Sequence, residues 1–184
     1  MVHDNDADAA SGESREYLED LERATPRVQA ILDADRRFAA HEAGHVVIAC
    51  SLGLKVHSVT IDGGPHAAID PAAELRHRIQ VLLGGWLAEW IDNGRQSLDN
   101  GRDSAVHDDR RIEEEFDSAS IPLADRATIK NECSATADRV LTARWKQVEN
   151  LKVMLLTFKT LDDIDVRKTL WPYCNPGHRA EAPL

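Results

Sequence analysis

A chain of 184 residues is long enough for one domain with a buried core. Its formal net charge of −10, from 32 acidic against 22 basic residues, repels phosphate backbones and excludes nucleic acid as a natural partner class. No apolar run reaches the roughly 18 residues that a membrane span needs, and the acidic N-terminus has no signal-peptide character, so a cytoplasmic protein with no membrane span is expected.

Residues 1–15 are rich in Asp, Ala and Ser and are expected to be a disordered acidic tail. A single helical domain is expected over 16–170. Glu16 to Arg23 suits a short helix, punctuated by Pro26. From Pro26 to about Leu52 the apolar residues Val28, Ile31, Leu32, Phe38, Val46 and Ile48 recur at helical intervals, and Gly53 supplies a stop. Val56 to Ile61 alternates and is β-branched, which predicts a strand. Asp62-Gly63-Gly64-Pro65 predicts a turn, with Ala67 to Asp70 pairing back as a small hairpin.

Pro71 opens the next predicted helix with Asp70 as its N-cap, and an apolar series runs from Leu75 to Ile91. Gly84-Gly85 in mid-helix costs stability, which predicts that something packs tightly against the backbone there. Arg95 to Asp103 is a polar loop. A helix starting around His107 should turn Ile112 and Phe116 inward, and Pro122 marks a turn. Asp125 to about Phe158 forms one long helical pattern. A shorter helix follows Thr160, its predicted cap, with Ile164, Val166 and Leu170 inward. Residues 171–184, with Pro172, Pro176 and Gly177, are expected to be an extended tail. Cys50, Cys133 and Cys174 are few, odd in number and far apart, so they are expected to be reduced thiols.

The chemistry concentrates in His41-Glu42-Ala43-Gly44-His45, an H-E-x-x-H motif inside a predicted helix. Residues four apart lie one turn above each other on one face, so His41 and His45 can aim two imidazoles at one point. That arrangement suits Zn²⁺, with Glu42 beside it in the position of a general base. A core histidine is the commoner fate of a lone His on an apolar helix. Two at ligand spacing, with an acid between them, point to a metal. A catalytic zinc usually takes three protein ligands and keeps one position open. By residue type alone the third ligand is open among Glu89, Asp108, Asp109, His66, His77 and His107.

Four segments, in order, resemble the peptidase domain of the FtsH family of ATP-dependent zinc metalloproteases. Arg37 to Val47 is similar to that family's HEAGH helix. Leu83 to Ile91 resembles its GGRxAEExx segment, and Gly101 to Ile112 its TGASNDxxxA segment with an insertion. Lys159 to Asp163 is similar to its ETLDG signature. The resemblance spans about Arg37 to Leu170. It implies a mainly α, zincin-type metallopeptidase domain with a small β element. It also implies zinc held by His41, His45 and the Asp of the SND segment, which falls on Asp108 or Asp109. Asp108 is preferred because His107-Asp108 stands where the family has Asn-Asp. Glu89 matches the family's AE glutamate and is expected to support the site rather than bind the metal.

No G-x-x-x-x-G-K-[ST] phosphate-binding loop is present. The expectation is therefore an ATP-independent zinc endopeptidase acting on peptides or unfolded proteins, with a homo-oligomer left open. An extended substrate is expected to add to the edge of the Val56 to Ile61 strand. The alternative is a catalytically weak or inactive adaptor that keeps the fold and the metal. Metal content, read with cleavage in the presence and absence of chelator, separates the two.

Overall fold

The computed structural model describes residues 6–96 and 102–170, with side chains from 24–96 and 106–170. The expected extended tail, 171–184, lies outside the described residues, as do 1–5 and residues 97–101 of the expected Arg95 to Asp103 loop, whose last two residues belong to a helix instead. The elements in order are α1 (Asp6–Ser51), β1 (Val56–Thr60), β2 (His66–Ile69), α2 (Leu75–Asp92), α3 (Arg102–Ser118), α4 (Leu123–Ala143), α5 (Trp145–Phe158), β3 (Thr160–Asp162) and α6 (Asp163–Leu170). The protein is thus mainly helical with a small antiparallel sheet, as the patterning predicts. Among the described residues no helix is long and apolar enough to cross a membrane.

The chain divides into two units, Met1–Asp35 and Arg36–Leu184. The described part of the first is helical. It takes in residues 6–15, which composition assigned to a disordered tail, and it continues through Pro26, which was expected to end a helix. Pro26 has no N–H to give, so the helix there forgoes one i→i−4 bond. Val28, Ile31 and Leu32 of this unit are exposed.

The second unit carries the core. The end of α1 is buried on all sides: Ala39, Ala40, Ala43, Val46, Val47, Ile48 and Ala49 have almost no contact with solvent. Its neighbour is α2, and the two backbones meet at glycines. A Cβ on Gly44 would lie 2.2 Å from the Gly84 carbonyl oxygen and 2.6 Å from Ala88 Cβ, and one on Gly84 would lie 2.9 Å from the Gly44 oxygen. The tight packing predicted at Gly84-Gly85 is therefore against the motif helix itself. From there α2 packs on α3 and α4. Ile112 and Phe116 of α3 are fully buried, as expected, each contributing about 1.5–3 kcal/mol by burial. Cys133, Ala137 and Leu141 of α4 and Val148, Leu151 and Leu155 of α5 complete the helical core. Neither Cys133, buried in that core, nor Cys50, half-buried, is in a disulfide.

The sheet order is β2-β1-β3, so β1 is the central strand. β1 pairs with β2 from Val56↔Ile69 to Thr60↔His66, with an irregularity between Val56 and Ser58, and with β3 from Ser58↔Asp162 to Thr60↔Thr160. Both edges of β1 are occupied, which overturns the expectation that a substrate adds to it. The hairpin partner is as predicted. β3 is not, because a strand of three residues carries no periodicity to read. Lys159 takes a left-handed φ of 63°, ends α5, and turns the chain directly into β3.

Several local expectations are corrected. Asp70 does not cap α2: its carboxylate accepts from His57 Nε2 at 2.6 Å, and the helix starts only at Leu75, after Glu74. Thr160 does not cap α6. It lies in β3, with its hydroxyl 2.7 Å from that of Thr60, while Asp162 Oδ1 accepts from the Ile164 and Asp165 N–H groups and is the cap. Ile164 is exposed rather than inward. The long helix expected over Asp125 to Phe158 is two helices, parted at Arg144, whose φ of −115° and ψ of 22° step out of the helical range. The buried series Cys133, Ala137, Leu141, Val148 keeps helical phase across this break, so the pattern cannot reveal it.

The glycine contact gives a test. In Gly44→Ala, neither the new Cβ nor the Gly84 carbonyl can retreat without moving a backbone. The variant should lose at least about 1–3 kcal/mol of stability, the usual cost of overpacking. Thermal unfolding followed by circular dichroism measures it, and an unchanged midpoint refutes the contact.

Candidate metal centre

His41 and His45 project from one face of α1, and Asp108 projects from the start of α3. All three are buried. His41 Nε2 and His45 Nε2 are 2.9 Å apart, and Asp108 Oδ2 is 3.0 Å from the first and 3.2 Å from the second. These three ligand atoms form a group that could hold a metal ion.

The opposite side of each ring decides what the inner atoms are. His45 Nδ1 is 2.7 Å from the Val81 carbonyl oxygen, which can only accept, so Nδ1 carries the hydrogen. His41 Nδ1 is 2.5 Å from Glu89 Oε1 and donates to that carboxylate. Both Nε2 atoms of the neutral rings are then lone pairs. They face each other and a carboxylate oxygen, with no hydrogen among the three. Asp108 Oδ2 is buried and makes no hydrogen bond despite two ring nitrogens at close range. Three electron-pair donors in buried contact repel unless a cation joins them. The three atoms therefore suit a metal ion. Imidazole–carboxylate and imidazole–carbonyl contacts of this kind also fix ring orientation at metal sites.

A proton is the other cation that relieves the repulsion. Burial alone lowers the pKa of His41, but the Asp108 and Glu89 carboxylates beside it outweigh burial and push it up to about 10. Burial favours the neutral acid at Asp108, yet the two imidazoles hold its carboxyl well below the usual carboxylate range. Glu42 is buried, and its Oε2 has no hydrogen-bond partner. Burial raises its pKa, the neighbouring His45 and His41 temper that rise, and Asp108 adds to it.

α2 supplies the wall behind the rings. A Cβ on Gly85 would lie 2.5 Å from His41 Nε2 and 2.6 Å from His45 Nε2. Only glycine leaves room for the two imidazoles there. Val81, Gly85 and Glu89 follow one another at intervals of four, so one stripe of α2 orients His45, makes space for both rings and orients His41.

The remaining candidates separate cleanly. Asp109 points away and accepts from Lys130 Nζ at 2.8 Å. Glu89 is in contact with His41 on the face away from Asp108. His77 lies 3.6 Å from Glu74 and outside the group. His66 and His107 line the same cavity as the group without belonging to it. The cavity has a volume of about 550 Å³, and Glu42 lies in its wall. The Val81 carbonyl is the functional group that sequence reading missed. A backbone acceptor has no residue type, and no signal in the sequence marks it.

No protein-family model matches the chain, and a comparison with curated proteins finds no match.

Two outcomes are expected. Asp108→Ala and Gly85→Ala should each weaken zinc binding by orders of magnitude with helical content retained, while Asp109→Ala binds zinc like the parent. Competition against a chromogenic chelator measures all three, and tight zinc in Asp108→Ala removes Asp108 from the ligand set. The second concerns pH. The His41 pKa, raised from the ordinary 6.5 to about 10, gives the metal-free protein stability that is complete below pH 6.5 and is lost as pH climbs through about 10. Metal must displace that proton, so zinc affinity should rise with pH across the same window, and zinc uptake in weak buffer at neutral pH should release protons. A pH-independent affinity contradicts it.

Proposed function

We propose that this protein is a zinc-dependent endopeptidase that hydrolyses peptide bonds of peptides or unfolded proteins, similar to the FtsH-family peptidases that its motifs resemble. The observation that carries the reading is the buried meeting of His41 Nε2, His45 Nε2 and Asp108 Oδ2, in one cavity with the unpartnered carboxylate of Glu42. Two borderline nitrogen donors and one carboxylate are a donor set that favours zinc. When bound, zinc acidifies water, lowering its pKa from 15.7 to about 7, and polarises a carbonyl.

The chain's own groups then divide the work. Glu89 and the Val81 carbonyl hold the ring hydrogens on Nδ1, so both Nε2 lone pairs stay directed inward. Burial makes the Glu42 carboxylate more basic than an exposed one. Glu42 Oε2 takes the proton of the attacking water and hands it to the leaving nitrogen. The substrate needs an extended backbone to present its scissile bond. β2 is an edge strand of the sheet, and His66, Ala67 and Ile69 on it line the cavity. An extended peptide can pair with that edge, where β1 is closed to it.

Purified protein should carry about one equivalent of zinc, and its cleavage of casein should stop with chelator. Glu42→Gln should keep the zinc and lose about 10²–10⁴-fold in hydrolysis, because an amide cannot accept the proton. Activity near the parent level in Glu42→Gln, or a parent protein that binds zinc and cleaves nothing, sinks the reading. The second outcome leaves the metal-keeping adaptor in its place.

A further inference from the structure

Three arginines line the wall of the cavity, and two of them have partners. Arg78 Nε donates to Glu115 Oε2 at 2.7 Å, and its Nη1 donates to the Ala72 and Ala73 carbonyls. Arg37 Nε lies 3.9 Å from Glu89 Oε2. Arg111 is different. It is exposed at the cavity wall, and among the described residues no carboxylate, carbonyl or aromatic ring engages its guanidinium.

Three acids stand at helical spacing from it, and each is engaged elsewhere; Glu114, three residues on, lies 3.6 Å from Arg110 Nε. Glu115 follows Arg111 by four residues on α3, the spacing of a helical ion pair, but it is bonded to Arg78 across the gap from α2. Asp108 precedes Arg111 by three residues and faces the two imidazoles. A free guanidinium is therefore held one helical turn from a metal-ligand candidate, on the same face and in the same cavity. Side chains three apart on a helix start about 5–6 Å from one another. A strand advances about 3.3 Å per residue, so a group bound by Arg111 would sit within a few residues of the bond at the metal. Guanidinium pairs with carboxylate through two parallel N–H···O bonds, a match that an amide cannot reproduce. On a chain of net charge −10, acidic ligands are otherwise repelled, so the local cation decides whether one enters.

We infer that Arg111 is a carboxylate-binding residue that selects peptides carrying a carboxylate close to the cleaved bond, from an acidic side chain or from a free C-terminus. This rests on the peptidase reading and adds a specificity to it.

The test measures binding rather than turnover. Zinc-loaded full-length Glu42→Gln protein is titrated calorimetrically with four pentapeptides of one sequence, bearing Glu or Gln at the centre and an amidated or free C-terminus. At least one carboxylate should tighten binding by about tenfold over the neutral Gln amide, the scale of one charge-assisted contact. Whichever carboxylate does so identifies the source. Adding Arg111→Gln should erase that preference and leave the neutral peptide's affinity unchanged, and Arg111→Lys should keep part of it. Arg111 is exposed, so its loss should not disturb the fold, which circular dichroism checks. Equal binding of all four peptides, no binding of any, or a preference that survives Arg111→Gln overturns the inference. Turnover by the parent separates the two claims: a carboxylate preference without cleavage sinks the peptidase reading alone, and cleavage without a carboxylate preference sinks this one alone.

Discussion

The close approach of α1 and α2 at Gly44 and Gly84 is the constraint on which the site depends. With 2.2 Å between a would-be Cβ and a carbonyl oxygen, any side chain at Gly44 would force the helices apart. Everything that orients the imidazoles sits on the facing stripe of α2 and acts over hydrogen-bond distances. Val81 offers its carbonyl at 2.7 Å and Glu89 its carboxylate at 2.5 Å. A separation of even one ångström would break both contacts and free the rings to turn. The glycines give up helix propensity of about 1 kcal/mol each to make that approach available. The offsetting stability comes from fully buried side chains on these helices, such as Ile48 and Ile79, and on the later ones, such as Ile112, Phe116 and Leu141.

Much of this was legible because it was periodic. Spacing alone placed His41 and His45 on one face, and mid-helix glycines signalled a close neighbour. The third member of the group was harder. Ile112 and Phe116 lie three and seven residues beyond Asp109, and four and eight beyond Asp108, and either spacing fits a helix face. In the structure Asp108, Ile112 and Phe116 form one buried stripe, whereas Asp109 is turned by one residue, about 100°, toward Lys130 and solvent. The preference for Asp108 came from a resemblance, and the buried stripe is its physical counterpart.

What stayed hidden has a common cause. β3, the carbonyl of Val81 and the break at Arg144 are made by backbone, and backbone has no letter in a sequence. The caps failed for a related reason. Asp70 and Thr160 have side chains suited to capping, but each found a partner from another strand or loop, His57 for the first and Thr60 for the second. Local propensity proposes such bonds, and tertiary neighbours compete for them. The central position of β1 follows the same logic. A strand that reads as an edge when only its hairpin partner is visible becomes interior once a distant segment closes on its other side.

The electrostatics of the group run in one direction. Burial raises Glu42 and works against a charged His41, so an isolated site of this kind would sit as neutral as it could. Asp108 prevents that by remaining ionised beside two lone pairs, which makes the pocket demand a cation. A proton on His41 satisfies the demand only by consuming one of the lone pairs. A metal would satisfy it with all three donors in use. Each hydrogen bond on the outside of a ring thus becomes a constraint on the inside. Val81 and Glu89 fix where the inner lone pairs point, and Glu89 also raises the proton affinity of His41, so a metal would have to compete with that proton.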